Sequence, residues 1–418
     1  MKVQVDLAQL KTGVEVLRKL SSKKTYISLV AQKGRGKAQQ TLTVVRCDAP
    51  DSGSVTHTQF ELSCTVKQAG AVRVPLAQLR SLCEVEATSL EIESGEAGTV
   101  FTAGATRLEL EPDTNPYPPS LAHPVQDGKS LMLPKSMLLN SLQTCLKFAR
   151  QKSYLAQDVL QAVLWRGDSQ GQLEFVSSDG HRVCLHQEQP KQYEGATAKG
   201  LENLGHCQMV VPLLINRRLL KLLKACPDEV LCGVNFGWNA VEFTIGSYYL
   251  KAPLNTGSYP QVNQILPVKF ARQLIVKRTK LLQAVRFLKG FCANSLVLRF
   301  NQAENQLTVV GYSDEVAGGE AQQSLWAEIE GGDLEIAFNL QYFKEAIAVY
   351  TSEEVILRFN SSKNVAGIFP REVAPKTQCY LMPVKIKPKV VAEKKVEETE
   401  TSASLDNQTV EVEKTKVA

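Results

Sequence analysis

The sequence lacks the short motifs that mark common enzyme and cofactor sites. No CxxC pair occurs, and the cysteines sit inside apolar stretches such as LQTCLKF, which is typical of reduced core residues in a cytosolic protein. The histidine pair in HRVCLH has no acidic or cysteine partner at ligand spacing, and neither GxxxxGK[ST] nor GxGxxG after a strand is present. We therefore expect no disulfide framework, metal, nucleotide or other cofactor.

Long apolar runs are also missing. No stretch approaches the roughly 18 residues that a membrane span requires, and the N-terminal MKVQVDLAQL has no apolar signal core. We expect a cytoplasmic protein that does not bind a membrane. The 418 residues are 44% hydrophobic and 22% charged, an ordinary globular composition with room for two to four domains.

What is present is repetition. VQVDLAQLKTGVEVLRKL, LMLPKSMLLNSLQTCLKF and LIVKRTKLLQAVRFLKGF each predict a short strand, a polar turn and an amphipathic helix. A second set follows: VRVPLAQLRSLCEV, MVVPLLINRRLLKLLKAC and LEIAFNLQYFKEAIAVY. We expect Pro75 and Pro212 at the strand-to-helix junction, where a first-turn proline is tolerated, and Asn339 as a helix cap. Leu10, Leu138 and Leu281 fall in register on the predicted buried faces.

Between these helices the sequence alternates like short strands, as in TLTVVRC, SLEIES, RLELEP, QLEFVSS, AVEFTIG, YYLKAPL, LVLRF, QLTVV and VILRFN. The chain is thus predicted to be an α+β protein of three similar domains, each with two strand–helix–strands half-units. The predicted domains are residues 1–126, 127–266 and 267–386. Residues 387–418, with many charges and no aromatics, are predicted to be a disordered tail.

The distribution of charge is more informative than the net charge of +5. The predicted helices at 134–152, 212–226 and 277–292 contain thirteen Lys or Arg and no Asp or Glu, while acids lie in strands and loops such as VEATSLEIESGE. Solvated helix faces usually mix signs because opposite charges at i,i+4 stabilise a helix. The pattern therefore favours a polyanionic partner. Few exposed-looking aromatics accompany the charge, which favours duplex phosphates over stacked single-stranded bases, and nothing indicates sequence-specific reading.

Four motifs carry a resemblance to a known family. The stretch QDVLQAVLWRGDSQGQLEFVSSDGHRVCLH, NPYPP at 115–119, GSYPQVNQILP at 257–267 and YLMPVKI at 380–386 resemble, in order, segments of the bacterial DNA sliding clamp, the β subunit of DNA polymerase III. The resemblance runs through residues 1–386. It implies the ring-forming DNA-clamp fold: a homodimer whose twelve helices line a central hole inside a wall of continuous sheet.

The resemblance also implies the function. A sliding clamp has no catalytic chemistry: it encircles double-stranded DNA and tethers the replicative polymerase, which keeps the enzyme's effective concentration at the template high. The implied protein partners are the DNA polymerase III catalytic subunit, the clamp loader and other proteins with a clamp-binding motif. The residues expected to contact DNA are Arg18, Lys19, Lys23, Lys24, Lys147, Arg150, Lys152, Arg217, Arg218, Lys221, Lys224, Lys280, Arg286 and Lys289.

The family binds its partners through a short peptide that enters an apolar pocket between the middle and last domains. Carried over by position, the pocket residues are Leu160, Ser178, Gly180, His181, Arg182, Val183, Pro260, Ile265, Tyr380 and Met382. The chain departs from the family pattern in places: Ser178 replaces a usual Thr, and Gln264 stands where an Arg is common. The first domain lacks the family's usual T-D-L-E segment.

Two alternative functions compete with this interpretation. A hydrolase would use Ser178, Asp179 and His181, but a triad must converge in space, which adjacent turn residues generally do not, and no GxSxG elbow is present. The second alternative is a diverged clamp-fold scaffold or decoy that lacks normal loading, which the divergent first domain keeps open.

Overall fold

The structure is a computed structural model. It describes residues 1–20, 25–33, 40–48, 55–112, 125, 128–153, 158–193, 200–292, 294–313, 319–372 and 374–385. The NPYPP motif, the predicted DNA contacts Lys23 and Lys24 and the predicted tail at 387–418 lie outside these residues. Within them, no helix is long and apolar enough to cross a membrane.

Six α-helices lie in the described part of the chain, and each directly follows a strand, as the repeats predict. They are α1 (Leu7–Lys19), α2 (Leu76–Leu82), α3 (Lys135–Cys145), α4 (Leu213–Ala225), α5 (Arg278–Lys289) and α6 (Leu340–Ile347). Asn339 caps α6 as predicted, because its Oδ1 accepts the Tyr342 N–H at 3.0 Å. Pro75 and Pro212 stand at the strand-to-helix junction as predicted, each as the last strand residue and the N-cap of its helix.

All nine predicted strand segments are confirmed. Some strands, such as Ser89–Gly95 and Leu231–Phe236, alternate buried and less buried side chains, whereas Leu173–Ser178 and Ala366–Pro370 are buried throughout. In chain order the strands are β1 (Lys2–Asp6), β2 (Tyr26–Gln32), β3 (Thr41–Asp48), β4 (Thr56–Gln68), β5 (Gly70–Pro75), β6 (Ser89–Gly95), β7 (Gly98–Ala103), β8 (Thr106–Leu110), β9 (Lys129–Pro134), β10 (Ala162–Gly167), β11 (Leu173–Ser178), β12 (Arg182–Glu188), β13 (Gln208–Pro212), β14 (Leu231–Phe236), β15 (Ala240–Ile245), β16 (Tyr248–Pro253), β17 (Arg272–Lys277), β18 (Ser295–Asn301), β19 (Gln306–Tyr312), β20 (Glu320–Trp326), β21 (Glu328–Glu330), β22 (Leu334–Asn339), β23 (Glu354–Phe359), β24 (Ala366–Pro370) and β25 (Thr377–Leu381).

Two of the three sheets continue from one repeated unit into the next. The largest has the order β8-β7-β6-β1-β4-β16-β15-β14-β9, with β2, β3 and β5 joined beside β4. Strand β4 is long enough to pair with β1 through Cys64 and with β16 through Phe60. A second sheet has the order β13-β10-β11-β12-β25-β24-β23-β17-β21, in which β12 of the middle repeat pairs with β25 of the last. A third sheet has the order β20-β19-β18-β22.

The helices share a single large core with one face of these sheets. Leu10, Leu138 and Leu281, the three residues that the repeat placed in register, are all fully buried in it. A smaller cluster lies on the opposite face of the second sheet, where Val183 and Tyr380 pack with Val262 of the segment that joins the last two repeats. Eight of the ten cysteines are buried and all ten are free, in agreement with the prediction that most are core residues.

Helix α3 is shorter than the predicted span of 134–152, because it ends at Cys145. The chain then turns back to bury Phe148 and Ala149. The Gln151 amide closes this turn by donating to the Leu146 carbonyl at 3.0 Å and the Ala149 carbonyl at 2.6 Å. Lys147, Arg150 and Lys152 therefore project from a turn and not from a helix.

Candidate nucleic-acid interface and peptide pocket

The face of α4 that turns away from the core is basic. Its apolar residues, such as Leu219 and Leu222, are fully buried, while Arg217, Lys221 and Lys224 are exposed. The helix contains no Asp or Glu. The spacing that buries one side therefore gathers positive charge on the other.

Helix α5 repeats this arrangement in the last unit. Leu281 and Leu288 are fully buried, and Lys280, Arg286 and Lys289 are exposed on a helix without acidic residues. Basic residues near a helix C-terminus are favoured by the helix dipole, but that effect does not explain the absence of any compensating acid along the helix.

Most of the predicted DNA contacts have no counter-charge. Among the described residues, nine of them are exposed and form no ion pair. These unpaired cations are Lys19, Lys147, Lys152, Arg217, Lys221, Lys224, Lys280, Arg286 and Lys289. They lie on α1, on the turn after α3, on α4 and on α5.

The unpaired cations of α1, of the turn after α3 and of α4 form a connected surface, because the elements that carry them are neighbours, whereas those of α5 lie on a helix of the last repeat. Helix α4 packs against both α1 and α3, and α5 packs against α6. The Lys221 ammonium donates to the Lys19 carbonyl at 2.6 Å, which brings α4 to the end of α1. The Arg217 guanidinium likewise reaches the Gln151 amide on the turn after α3.

Three predicted DNA contacts differ from these nine, because each forms an ion pair within the chain. Arg218 is 7% exposed, and its guanidinium lies 2.8 Å from the Asp48 carboxylate. Burial, with a smaller contribution from nearby Arg46, lowers the pKa of Arg218. Arg18 pairs with Glu15 at 2.8 Å. Both guanidiniums are thus already paired within the chain and do not belong to the unpaired cations.

Arg150, the third, belongs to the peptide region instead. Its guanidinium binds the Asp158 carboxylate at 2.7 Å and the Asp179 carbonyl at 3.1 Å. Burial would raise the pKa of Asp158, but hydrogen bonds from Ser153, the Leu160 N–H and Arg150 outweigh it and lower that pKa. Arg150 therefore orders the chain around Leu160 and the turn after β11.

That turn is built by local hydrogen bonds. The Asp179 carboxylate accepts the N–H groups of His181 and Arg182 at 3.0 and 3.2 Å. Gly180 has φ of +95°, a conformation that a side chain would strain. Gly180 and His181 are left exposed at the tip, as an SDGHR sequence in a tight turn requires.

The predicted pocket residues from the middle and last units meet across the β12–β25 ladder. Val183 stands opposite Tyr380, and the Met382 N–H donates to the His181 carbonyl at 2.8 Å. The Tyr380 ring meets Phe369 edge-on at 5.7 Å. Met382, 45% exposed, therefore lies beside the turn of the middle unit.

The joining segment supplies the remaining predicted residues. Val262 is buried against Val183 and Tyr380, which anchors the segment, while Pro260 and Ile265 on either side are exposed, Ile265 by 66%. The structure thus brings all ten predicted pocket residues to one junction. A cavity of about 640 Å³ borders the same segment, between Trp238 and Val176, but of the ten only Pro260 lines it.

Arg182 has a different role from its predicted one as a pocket-lining residue. Its side chain is 4% exposed and points to the helix face of the sheet, opposite to Val183. The guanidinium lies between the rings of Phe148 and Tyr342, with its carbon 5.0 and 4.1 Å from their centroids. Arg182 is a positioning residue, and the rings that hold it could not be identified from sequence because they are distant in the chain.

The same guanidinium makes three charged or polar contacts. Arg182 binds Asp179 at 2.9 Å, Glu345 of α6 at 2.5 Å and the Lys147 carbonyl at 2.5 Å. It therefore connects the peptide-pocket turn, the end of α3 and α6. Burial, with the neighbouring Asp179 carboxylate, raises the pKa of the Tyr342 phenol, so the ring stays neutral beside these charges.

The hydrolase alternative does not fit this geometry. The Ser178 hydroxyl donates to the Arg182 carbonyl at 2.8 Å, and the Asp179 carboxylate is taken by Arg182. The His181 ring instead lies parallel to Tyr342 at 6.4 Å. Neither the hydroxyl nor the carboxylate is directed at the imidazole, as a triad requires.

Comparisons with known proteins agree with this architecture. Crystal structures of the DNA polymerase sliding clamps of Pseudomonas aeruginosa and Caulobacter crescentus each cover 92% of this chain and all of their own, with TM-scores of 0.78 and 0.79 at 18% and 16% identity. This likeness shows that the chain has the DNA-clamp fold.

Sequence comparison finds the same class of protein. The profile of the DNA polymerase III beta subunit, C-terminal domain, matches residues 263–385. The beta sliding clamp of Synechococcus elongatus is 24% identical over 379 residues, covering 87% of this chain and 97% of the relative. That of Synechocystis sp. is 26% identical over 344 residues, covering 78% and 85%. Over most of its length the chain is similar to the bacterial beta sliding clamps, and its residues 263–385 match the C-terminal domain of the DNA polymerase III beta subunit.

The buried contacts of Arg182 predict a large effect on stability. Arg182→Met should destabilise the chain by about 3 kcal/mol, because it leaves the Asp179 and Glu345 carboxylates without their cation. The triple variant Arg182→Met/Asp179→Asn/Glu345→Gln should recover part of the loss. Urea unfolding measures both. Equal stability of the Arg182→Met variant and the unmodified chain would contradict the assignment of Arg182 as a positioning residue.

Proposed function

We propose that this chain forms a homodimeric ring around double-stranded DNA and tethers the replicative polymerase in the cytoplasm. In this proposal the three clamp domains are residues 1–126, 127–266 and 267–386. The observation that carries the proposal is the set of nine exposed, unpaired cations, which lie on elements of all three repeats. Charge of one sign, repeated in this way, fits the regular phosphate backbone of a duplex.

The chemistry of this surface suits sliding. Lysine and arginine contacts to phosphates carry no sequence information, so each position along the duplex is energetically equivalent. The proposed contacts come from separate helices and a turn, and no single helix carries them all, as a recognition helix that reads bases would. The ring would hold DNA by topology and guide it by diffuse attraction.

Ring closure would use two free sheet edges. Among the described strands, β8 ends the largest sheet and β20 ends the third sheet, so each presents backbone groups that no other described strand pairs. Beside β20, Phe287 and Phe291 of the α5 end are 55% and 37% exposed. We propose that β8 of one copy pairs with β20 of the other, with these phenylalanines buried at the contact. Because the two edges differ, the contact is head-to-tail, and two such contacts would close a ring of two chains.

Partner proteins would dock at the junction of the middle and last units. The exposed Met382 and Ile265 offer apolar anchors, and Gly180 leaves the turn beside them open. An extended peptide that buries a few apolar side chains there is the recognition mode that this surface suits. The proposed ligands are segments of the DNA polymerase III catalytic subunit, the clamp loader and other proteins with a clamp-binding motif.

The α5 cations can be tested by their salt dependence. Lys280→Gln/Arg286→Gln/Lys289→Gln should weaken duplex binding and lower the slope of log K against log salt by up to about 2.7, because about 0.9 is expected for each lost phosphate contact. Fluorescence anisotropy with a duplex oligonucleotide measures this. The control Lys33→Gln/Lys67→Gln/Lys363→Gln removes three exposed charges elsewhere. If both variants bind alike, the helices are not the DNA surface.

Ring closure predicts a solution mass of two chains at micromolar concentration, measured by light scattering. Phe287→Asp/Phe291→Asp should reduce it to one chain, because two carboxylates cannot be buried unpaired at the contact. Trp238→Asp, a change at an 83% exposed residue, should have no effect. A mass of three chains would contradict the domain count, and a monomeric unmodified chain would favour the scaffold or decoy alternative.

If partners bind here, Met382→Asp should lower the affinity of the chain for a polymerase-derived clamp-binding peptide by at least about tenfold. This is the usual cost of losing a central apolar anchor. Val268→Asp is the matched control, since Val268 is 94% exposed on the nearby joining segment. Peptide anisotropy provides the readout. Equal loss in both variants would indicate a general charge effect, and no loss in either would exclude this pocket.

A further inference from the structure

The C-terminal part of the sequence has an unusual order of charges. Residues 385–395 contain five Lys and one Glu, whereas residues 396–413, VEETETSASLDNQTVEVE, contain six acids and no Lys or Arg. We call residues 396–413 the acidic segment. Its formal charge of −6 is opposite in sign to the surface of unpaired cations.

The structure shows where the chain leading to this segment departs. The Val384 N–H donates to the Ala337 carbonyl of β22 at 2.8 Å. Strand β22 leads directly through Asn339 into α6, and α6 packs against α5. The last described residue, Lys385, thus follows a point that is held beside the α5–α6 pair.

The intervening length allows the acidic segment to reach α5. Eleven residues, 385–395, span at most about 36–40 Å when extended. The eight residues of α6 are about 12 Å long, and packed helices lie about 8–10 Å apart. The whole of α5 is therefore within the contour length of the connection.

The charges of α5 are available to such a segment. Lys280, Arg286 and Lys289 are exposed, and none forms an ion pair with another described residue. Like charges on one helix repel each other. An anion that binds between them is attracted to each cation and also offsets their mutual repulsion. No acid on α5 competes for this role.

We propose that the acidic segment binds the exposed cations of α5 and competes there with the DNA backbone. The inference rests on the proposed function, because it assigns DNA as the ligand that the segment displaces. A tethered anion acts at a high effective concentration, yet salt screens it, so the contact yields to the denser charge of a duplex. The ring would then bind DNA productively only where a loader or a long duplex outcompetes its own segment.

The first test examines the contact without DNA. The acidic segment is neutralised in the full chain, so that its site on α5 is open, by substitution to Gln or Asn of Glu397, Glu398, Glu400, Asp406, Glu411 and Glu413. A labelled peptide of residues 396–413 should bind this variant at about 50 mM salt and be released at about 300 mM.

Adding Lys280→Gln/Arg286→Gln/Lys289→Gln to this variant should lower its affinity for the peptide about tenfold. Adding Lys33→Gln/Lys67→Gln/Lys363→Gln should leave that affinity unchanged. No binding at low salt would overturn the proposal. Equal weakening by the two triple changes would overturn it as well, because the segment would then respond to net charge and not to α5.

The second test measures the competition. The neutralised variant should bind a duplex about tenfold more tightly than the unmodified chain at about 50 mM salt, and the difference should vanish at about 300 mM. A variant with the acidic segment in scrambled order should behave like the unmodified chain, because the attraction depends on charge and not on order. Equal duplex affinity of neutralised and unmodified chains would overturn the competition.

The two tests separate this inference from the proposed function. If neither form binds duplex but the peptide binds α5, the proposed DNA function fails and the contact itself remains. If duplex binds equally to both forms and the peptide does not bind, the DNA function remains and the inference fails.

Discussion

Two antiparallel ladders, β4 with β16 and β12 with β25, carry the sheet from one repeated unit into the next. A ladder fixes both the spacing and the direction of its strands, so successive units cannot rotate freely about their connections. Each unit then presents its two helices on the same side as its neighbours do. One continuous core beneath all six described helices follows from this arrangement.

The junction at β12 and β25 serves both faces of the second sheet. On one face, Val183 and Tyr380 pack under the joining segment and position the apolar anchors of the pocket. On the other face, Arg182 holds the end of α3 and α6 together. Since neighbouring residues of a strand point to opposite faces, the adjacent residues Arg182 and Val183 connect the proposed peptide site with α6 and with the turn after α3.

The cation surface is held against its own repulsion. Lys280, Arg286 and Lys289 lie on one helix without acids, an arrangement that weakens an isolated helix. The buried side of α5 provides the compensation, because Leu281, Val285 and Leu288 are fully buried. Apolar burial thus offsets the repulsion within a charge pattern that the stability of the helix itself does not require.

The sequence by itself determined the α+β class, the six strand–helix pairs and the sign of the helix faces. These properties depend on local periodicity, which one segment displays without its neighbours, as Leu10, Leu138 and Leu281 show. Even the Asn339 cap could be predicted, because a cap involves residues three apart.

Only the tertiary structure decided which basic residues are free. Arg218 looks like Arg217 in the sequence, yet Asp48, far away in the chain, lies against one and not the other. Arg182 likewise resembles a pocket residue until Phe148, Tyr342 and Glu345 are brought around it. Burial and pairing depend on contacts between distant segments, and neither spacing nor composition encodes which segments will meet.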